Sequence, residues 1–185
     1  MRKSFGTKSW FYPLPVLVIG TYDEDGNPDA MNAAWGGLYD ADKVVLCLSA
    51  GHKTTKNIQK TGAFTISFAD AEHVAEADYV GLVSGNNDQD KMAHSGFHTT
   101  KSTVVNAPLI DELLVTLECS FIKMSEDGNI IGHIDNVSID ERVLNAEGKL
   151  DMTKFHPIFF EPANNGYHVL GERVGNAFSD GAERK

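Results

Sequence analysis

The sequence predicts a mainly β protein, an antiparallel barrel or sandwich with two or three helices packed outside it. Three observations carry this expectation. Runs of β-branched and aromatic residues recur along the chain, among them Val16 to Tyr22, Lys43 to Ser49 and Ala63 to Phe68. Tight-turn chemistry separates several runs, at Asp23-Glu24-Asp25-Gly26-Asn27-Pro28, Glu126-Asp127-Gly128 and Glu147-Gly148. No repeat, low-complexity tract or linker divides the 185 residues, so 1–185 reads as one domain, long enough to bury most of its unfolded surface.

Taken in order, Met1 to Tyr22 reads as an ordered arm leading into the first strand, because Pro13 and Pro15 interrupt the apolar run that a signal peptide would need. After the turn ending at Pro28, Ala30 to Trp35 returns as a short strand of small residues. Lys43 to Ser49 follows, then a turn at Ala50-Gly51-His52. Thr54 to Thr61 fits one short helix, with Thr54 or Thr55 as N-cap and Gly62 as stop signal. Beyond the strand at Ala63, Glu72 to Ser84 fits a second helix, with Ala75, Tyr79, Leu82 and Val83 along one face.

Gly85 to Pro108 is polar and loop-like, with a helical turn around Asp90 to His94. Leu113 to Met124 and Asn129 to Ile139 form a hairpin. Pro157 to Phe160 and Tyr167 to Leu170 are short strands, and Val174 to Phe178 begins a terminal helix.

Composition removes several functional classes. The formal net charge of -10 speaks against nucleic acid and anionic membranes as partners. No stretch approaches the ~20 apolar residues needed to cross a bilayer. The interrupted N-terminal apolar run and the sparse cysteines lead to the expectation of a cytoplasmic protein. Cys47 and Cys119 both sit in strand-like surroundings and read as small buried hydrophobes. No dinucleotide glycine fingerprint, P-loop or nucleophile elbow occurs. His94 and His98 stand four apart, but Ser95-Gly96 breaks the helix that would aim both at one ion, so no metal is expected.

The acid-poor stretch is more informative. From Lys43 to Ala69 there is no Asp or Glu, while Lys43, His52, Lys53, Lys56 and Lys60 fall inside it. Within this island Ser49-Ala50-Gly51-His52-Lys53-Thr54-Thr55-Lys56-Asn57 leads from a strand through a turn to a helix start. Free N–H groups and the positive end of the helix dipole suit a phosphate there. A plain N-cap with solvated lysines would look the same. Upstream, Met31-Asn32-Ala33-Ala34-Trp35-Gly36 combines small side chains, against which a flat ring can lie, with the aromatic wall of Trp35. Asn32 can donate and accept, as the polar edge of such a ring requires. A tightly packed central strand is the other reading.

In chain order these segments resemble the flavin reductase-like family of FMN-binding split barrels, which includes flavoredoxins. The resemblance rests on Met31 to Trp35, on Ser49 with His52 to Ile58, and on Asp90-Lys91 before Ser95-Gly96-Phe97. It closes with Tyr167-His168-Val169-Leu170-Gly171-Glu172-Arg173-Val174-Gly175-Asn176-Ala177-Phe178. It implies a six-stranded antiparallel split β-barrel of Greek-key type with flanking helices, and a homodimer with non-covalent FMN near the interface.

By the same resemblance Met31, Asn32, Ala33, Ala34 and Trp35 line the ring. Ser49, His52, Lys53, Thr54, Thr55 and Asn57 hold the phosphate and ribityl chain. Lys91 adds positive charge, with His133, Tyr167 and His168 as further contacts. No catalytic acid or base is implied. NADH or NADPH would be the electron donor, with a small molecule or a redox protein as acceptor; a non-enzymatic flavoredoxin-type electron carrier, or an FMN-binding module without turnover, are the alternatives. The family tail often continues Gly-Lys, whereas Gly181 here is followed by Ala182.

Overall fold

A computed structural model describes residues 1–182. Strands β1 (Leu14–Pro15), β2 (Leu17–Tyr22), β3 (Pro28–Ala33), β4 (Gly36–Asp40) and β5 (Lys43–Leu46) lead to helix α1 (Lys53–Thr61). Next come β6 (Ala63–Phe68), α2 (Val74–Leu82), α3 (Lys91–Ser95), β7 (Thr99–Lys101) and β8 (Pro108–Ile110). The long hairpin β9 (Val115–Met124) and β10 (Ile130–Ile139) and the short pair β11 (Ile158–Glu161) and β12 (Gly166–Val169) complete the chain.

Seven strands form the main sheet in the order β3-β2-β6-β9-β10-β5-β4, every pairing antiparallel. That is one strand more than the resemblance implies, because Gly36 to Asp40 adds an edge to β5. Strands β3 and β4 are the opposite edges of this sheet, yet only Ala34 and Trp35 separate them in the chain. With consecutive Cα atoms about 3.8 Å apart, the two edges must approach within about 11 Å where the chain crosses. The sheet therefore curls until its edges nearly meet, while leaving them unpaired with each other. This is a split barrel.

The interior is filled by Ile19, Leu46, Ile58, Phe64, Ile66 and Ile130, all fully buried. Each contributes roughly 1.5–3 kcal/mol of transfer free energy. Gly132 is small of necessity, since a Cβ there would lie 2.5 Å from the Phe64 ring. A second apolar layer lies outside the barrel, where Ala77 and Val80 of α2 join Val16, Val18, Phe97, Ile110 and Ile158.

Several local expectations need correction. Helix α1 begins at Lys53 with His52 as an N-cap that makes no side-chain bond, so neither Thr54 nor Thr55 caps it. The face expected of α2 holds only at Tyr79, which packs against the outer layer: Ala75 and Leu82 are exposed, and Ala77 and Val80 are buried. Its sequence is apolar on most sides, so periodicity could not choose a face.

Strands β4, β7 and β8 escaped notice, being short or glycine-rich and held by tertiary pairing. Val174 to Phe178 forms no helix; turns occupy 177–181, and Phe178 has φ 63°, a left-handed conformation that stops a helix. Residues 1–12 carry no regular secondary structure. Cys119 is buried but Cys47 is exposed. Alternation explains it, since Val44, Leu46 and Leu48 point inward and Cys47 therefore points out. Among the described residues no helix is long and apolar enough to cross a membrane.

Candidate functional site

The chain leaves β5 at Leu46, turns through Ser49 to His52 and enters α1. No side chain caps this helix start and its first turn holds no acidic residue. The N–H groups of the first turn therefore stay open, and the positive end of the dipole faces outward.

The hydroxyls expected to hold an anion are occupied within the fold. Thr54, 1% exposed, donates to the Asp29 carboxylate at 3.0 Å. Thr55 donates to the Ser49 carbonyl at 2.8 Å, and the Asn57 amide donates to the Thr21 hydroxyl at 3.0 Å. These side chains pin the turn from beneath, and its upper, backbone side is left for a ligand.

Beside the helix start lies a cleft of about 110 Å³, lined by Asp29, Met31, His52, Lys53, Thr54, Lys91 and the residues from Val80 to Gly85. Lys91 is 3% exposed and its ammonium stands 3.9 Å from the equally buried Asp29 carboxylate. Burial drives the Lys91 pKa below the usual lysine value; Asp29 counters the shift, and the nearby Lys53 ammonium adds to it. Gly85 lies so close to Asp29 that any Cβ would collide with the carboxylate. The loop beyond it is tied to the helix start, with the Asn86 amide donating to the Gly51 carbonyl at 3.0 Å and Lys56 donating to Asn86 at 3.2 Å.

The positive island is largely neutralised by acids from elsewhere in the chain. Lys43 pairs with Asp40 and Asp42, Lys53 with Asp23 at 3.4 Å, and Lys60 with Glu24. Lys56 is the island lysine without a carboxylate partner among the described residues.

The ring-side segment joins this region through the backbone. The Cys47 N–H donates to the Trp35 carbonyl at 2.8 Å, which sets the end of the Met31 to Trp35 segment two residues before Ser49. Met31 packs on the barrel interior and Ala33 is buried there. Asn32 turns the other way, its amide donating to the Ala77 carbonyl of α2 at 2.9 Å, so its side chain already has a partner. Trp35 is 58% exposed, and with Phe11, Pro13, Ala34, Val45 and Cys47 it borders an almost wholly apolar groove of about 500 Å³.

Tyr167 comes from β12 to α2, the helix that the Asn32 amide also bonds. Its hydroxyl donates to Asp78 at 2.7 Å, and burial, reinforced by that carboxylate, pushes its pKa up to about 12. His168, on the opposite face of β12, is exposed and stacks on Phe159 at 5.4 Å. His133 is not brought to the others. It pairs in register with Lys43 at the start of β5 and contacts Asp135 and Asp42, at the opposite end of β5 from the one that leads on to Ser49.

Asp29 is the residue that sequence reasoning missed. Its signal was a carboxylate two positions before Met31, hence on the same strand face as the ring-side residues. Cys47, on the groove wall, was missed because an apolar strand setting suggested burial.

A family model described as "Flavin reductase like domain" matches residues 9–158. Among solved structures, the chain is similar to flavoredoxin of Desulfovibrio vulgaris (Miyazaki F), at 36% identity and a TM-score of 0.93, over 98% of this chain and 100% of that one. It is also similar to flavoredoxin from Methanosarcina acetivorans, at 26% identity and a TM-score of 0.89, over the full length of both. An FMN-binding domain of a flavin reductases-like enzyme from Shewanella baltica shares the fold at 20% identity and a TM-score of 0.77, over 88% of each chain. No curated protein matches the chain. The match spanning most of the sequence, on a split barrel with an open helix start beside its ring-side strand, means that this chain belongs to the flavin reductase-like domain family.

Proposed function

We propose that this chain binds FMN without a covalent link and acts as an oxidoreductase that takes electrons from NADH or NADPH and passes them to a second acceptor. The observation that carries the cofactor reading is the uncapped, acid-free start of α1, flanked by Lys53 and Lys91 and hydrogen-bonded through Cys47 to the end of the ring-side strand. The residues present fit the group: open N–H donors and ammonium groups suit a phosphate dianion, and the small Ala34 and Gly36 on the groove wall leave room for a flat ring.

Bound FMN would supply hydride and single-electron chemistry, which no side chain can perform. The chain's own residues then divide the remaining work. The first-turn N–H groups of α1, with Lys53 and Lys91, bind the phosphate. Thr54, Thr55 and Asn57 hold the turn in shape from below. Met31 to Trp35 supports the rings, and Trp35 keeps water from one side. The reading includes a pair of identical chains with FMN near their interface, so dilution to monomer releases the cofactor.

A second reading is a flavoredoxin-type electron carrier that exchanges electrons with redox proteins and ignores nicotinamides. The 36% identity with a protein named flavoredoxin, over nearly the whole chain, favours it. An absorbance spectrum of the purified protein, followed by anaerobic addition of NADH and NADPH, separates the two. Bleaching within seconds supports the reductase. Yellow protein reduced by dithionite but by neither nicotinamide supports the carrier. Colourless protein that ignores added FMN in a titration removes both.

A further inference from the structure

The N-terminal arm, residues 1–12, is tied to the rest of the chain at a single point. Within it Phe5 and Trp10 pack with ring centroids 5.1 Å apart, and the Lys3 ammonium lies over Phe5. The Phe11 N–H donates to the Ser9 carbonyl at 3.0 Å. These contacts fold the arm on itself. Among the described residues, the one hydrogen bond or ion pair that leaves the arm runs from the Tyr12 hydroxyl to the Glu161 carboxylate, at 2.6 Å. The strand that follows is a weak anchor, because Pro13 and Pro15 have no N–H and only Leu14 between them can donate to β11.

Glu161 is fixed before the arm arrives. It ends β11, and its carboxylate accepts the Ala163 N–H at 2.7 Å, the Asn164 N–H at 3.1 Å and the Asn164 amide at 2.9 Å. An ionised carboxylate has room for about four hydrogen bonds, and Tyr12 supplies the last. That bond is the leading cause lowering the Glu161 pKa and raising that of Tyr12, so at neutral pH the acceptor stays ionised and the donor protonated.

The arm held in this way borders the groove at Trp35. Ser9 and Phe11 line it together with Ala34, Trp35 and Gly36. Phe11 is 70% exposed, so it stands at the rim, and the residue beside it is Tyr12.

We propose that Tyr12 and Glu161 are positioning residues, a latch that holds Ser9 and Phe11 as the outer wall of the ring site and limits what reaches the ring. This role rests on the reading that the groove takes the FMN rings. One hydrogen bond of ordinary net strength changes the ratio of closed to open arm by roughly two- to tenfold.

Trypsin reads the latch without any cofactor. Cleavage after Lys8 needs the chain through Tyr12 to leave its seat, and such cleavage follows the population of the open form. Tyr12→Phe removes only the hydroxyl. It should speed cleavage after Lys8 by roughly two- to tenfold, while cleavage after Lys3 keeps its rate. The thermal midpoint should not move, since the bond is exposed. In FMN-loaded protein the same variant should raise iodide quenching of the flavin fluorescence. Phe11→Ala, which removes the wall and keeps the latch, should raise quenching as much, and adding Tyr12→Phe should change nothing further. A merely structural hydroxyl would lower the melting and leave quenching alone. Unchanged cleavage after Lys8 in Tyr12→Phe overturns the latch. Faster cleavage with unchanged quenching overturns the wall. Protein that takes up no FMN overturns the functional reading and the wall with it, and the cleavage rates then still decide the latch.

Discussion

The entrance to α1 and the C-terminal arm are built on opposite plans. At the entrance the polar side chains of Thr54, Thr55 and Asn57 are buried and paired, and the backbone N–H groups are left open. In the arm the backbone is fixed by Asn176 and Asp180, and the apolar side chains of Val174 and Phe178 are left open. Each region leaves unsatisfied the group that its partner would complete. Unpaired N–H donors at a helix start call for an anion. Unpacked aromatic carbon calls for another apolar surface. Exposure is therefore informative only relative to what each group needs.

Substitutions can break this contrast, and the largest effect is expected beneath the entrance. Asp29→Ala leaves the Lys91 ammonium buried without its carboxylate, and such losses cost about 3–5 kcal/mol. Urea denaturation measures it, and a loss below about 1 kcal/mol would mean that the pair does not hold the cleft together.

The next effect concerns pH. Lys91 has a depressed pKa, so as pH rises through that value the folded chain gives up a proton that the unfolded chain keeps until the ordinary lysine range. Stability then rises with pH across that window, while FMN affinity falls by about tenfold as one charge-assisted bond is lost. FMN titrations at stepped pH should show the fall in the native protein and a flat profile in Lys91→Gln. Equal slopes would remove Lys91 from the phosphate site.

A smaller change is expected from Thr55→Val, which removes the bond to the Ser49 carbonyl and should cost about 1 kcal/mol of stability. FMN affinity should drop only as far as the turn loosens; a large loss of affinity with unchanged melting would mean that the hydroxyl touches the ligand directly. The smallest effect lies in the arm, where Phe178→Ala should leave the melting of the dissociated chain within about 0.5 kcal/mol of the native value. A greater loss would show that Phe178 packs on its own chain.

Much of the architecture was legible along the chain. β2, β6 and the hairpin of β9 and β10 follow from branched residues and from Asp-Gly or Gly-Asn turns, both properties of neighbours in sequence. The helix at α1 and its stop at Gly62, with φ 75°, were equally local. The exposed face of α2 was not legible, because an apolar helix takes its orientation from what covers it. Nor was the extra edge β4, whose glycines form a strand only because β5 is there to pair with.

Within the candidate site, a single backbone bond from Cys47 to Trp35 makes the stretch leading to Ser49 a neighbour of the end of Met31 to Trp35. The roles of single side chains were harder to read. Asn32 serves α2, His133 stands at the far end of β5, and the threonine hydroxyls face inward.

The sequence by itself determined where strands and turns fall, which stretch lacks acids and which order of motifs marks the family. These are properties of adjacent residues or of composition, and folding does not alter them. Only the tertiary structure decided which polar groups remain free. Asp23, Glu24 and Asp29 approach Lys53, Lys60 and Lys91 from other elements, so the charge that looked local is cancelled over distance. What is left open at α1, and what is left bare in the arm, depends on such long-range partners, which no stretch of sequence contains.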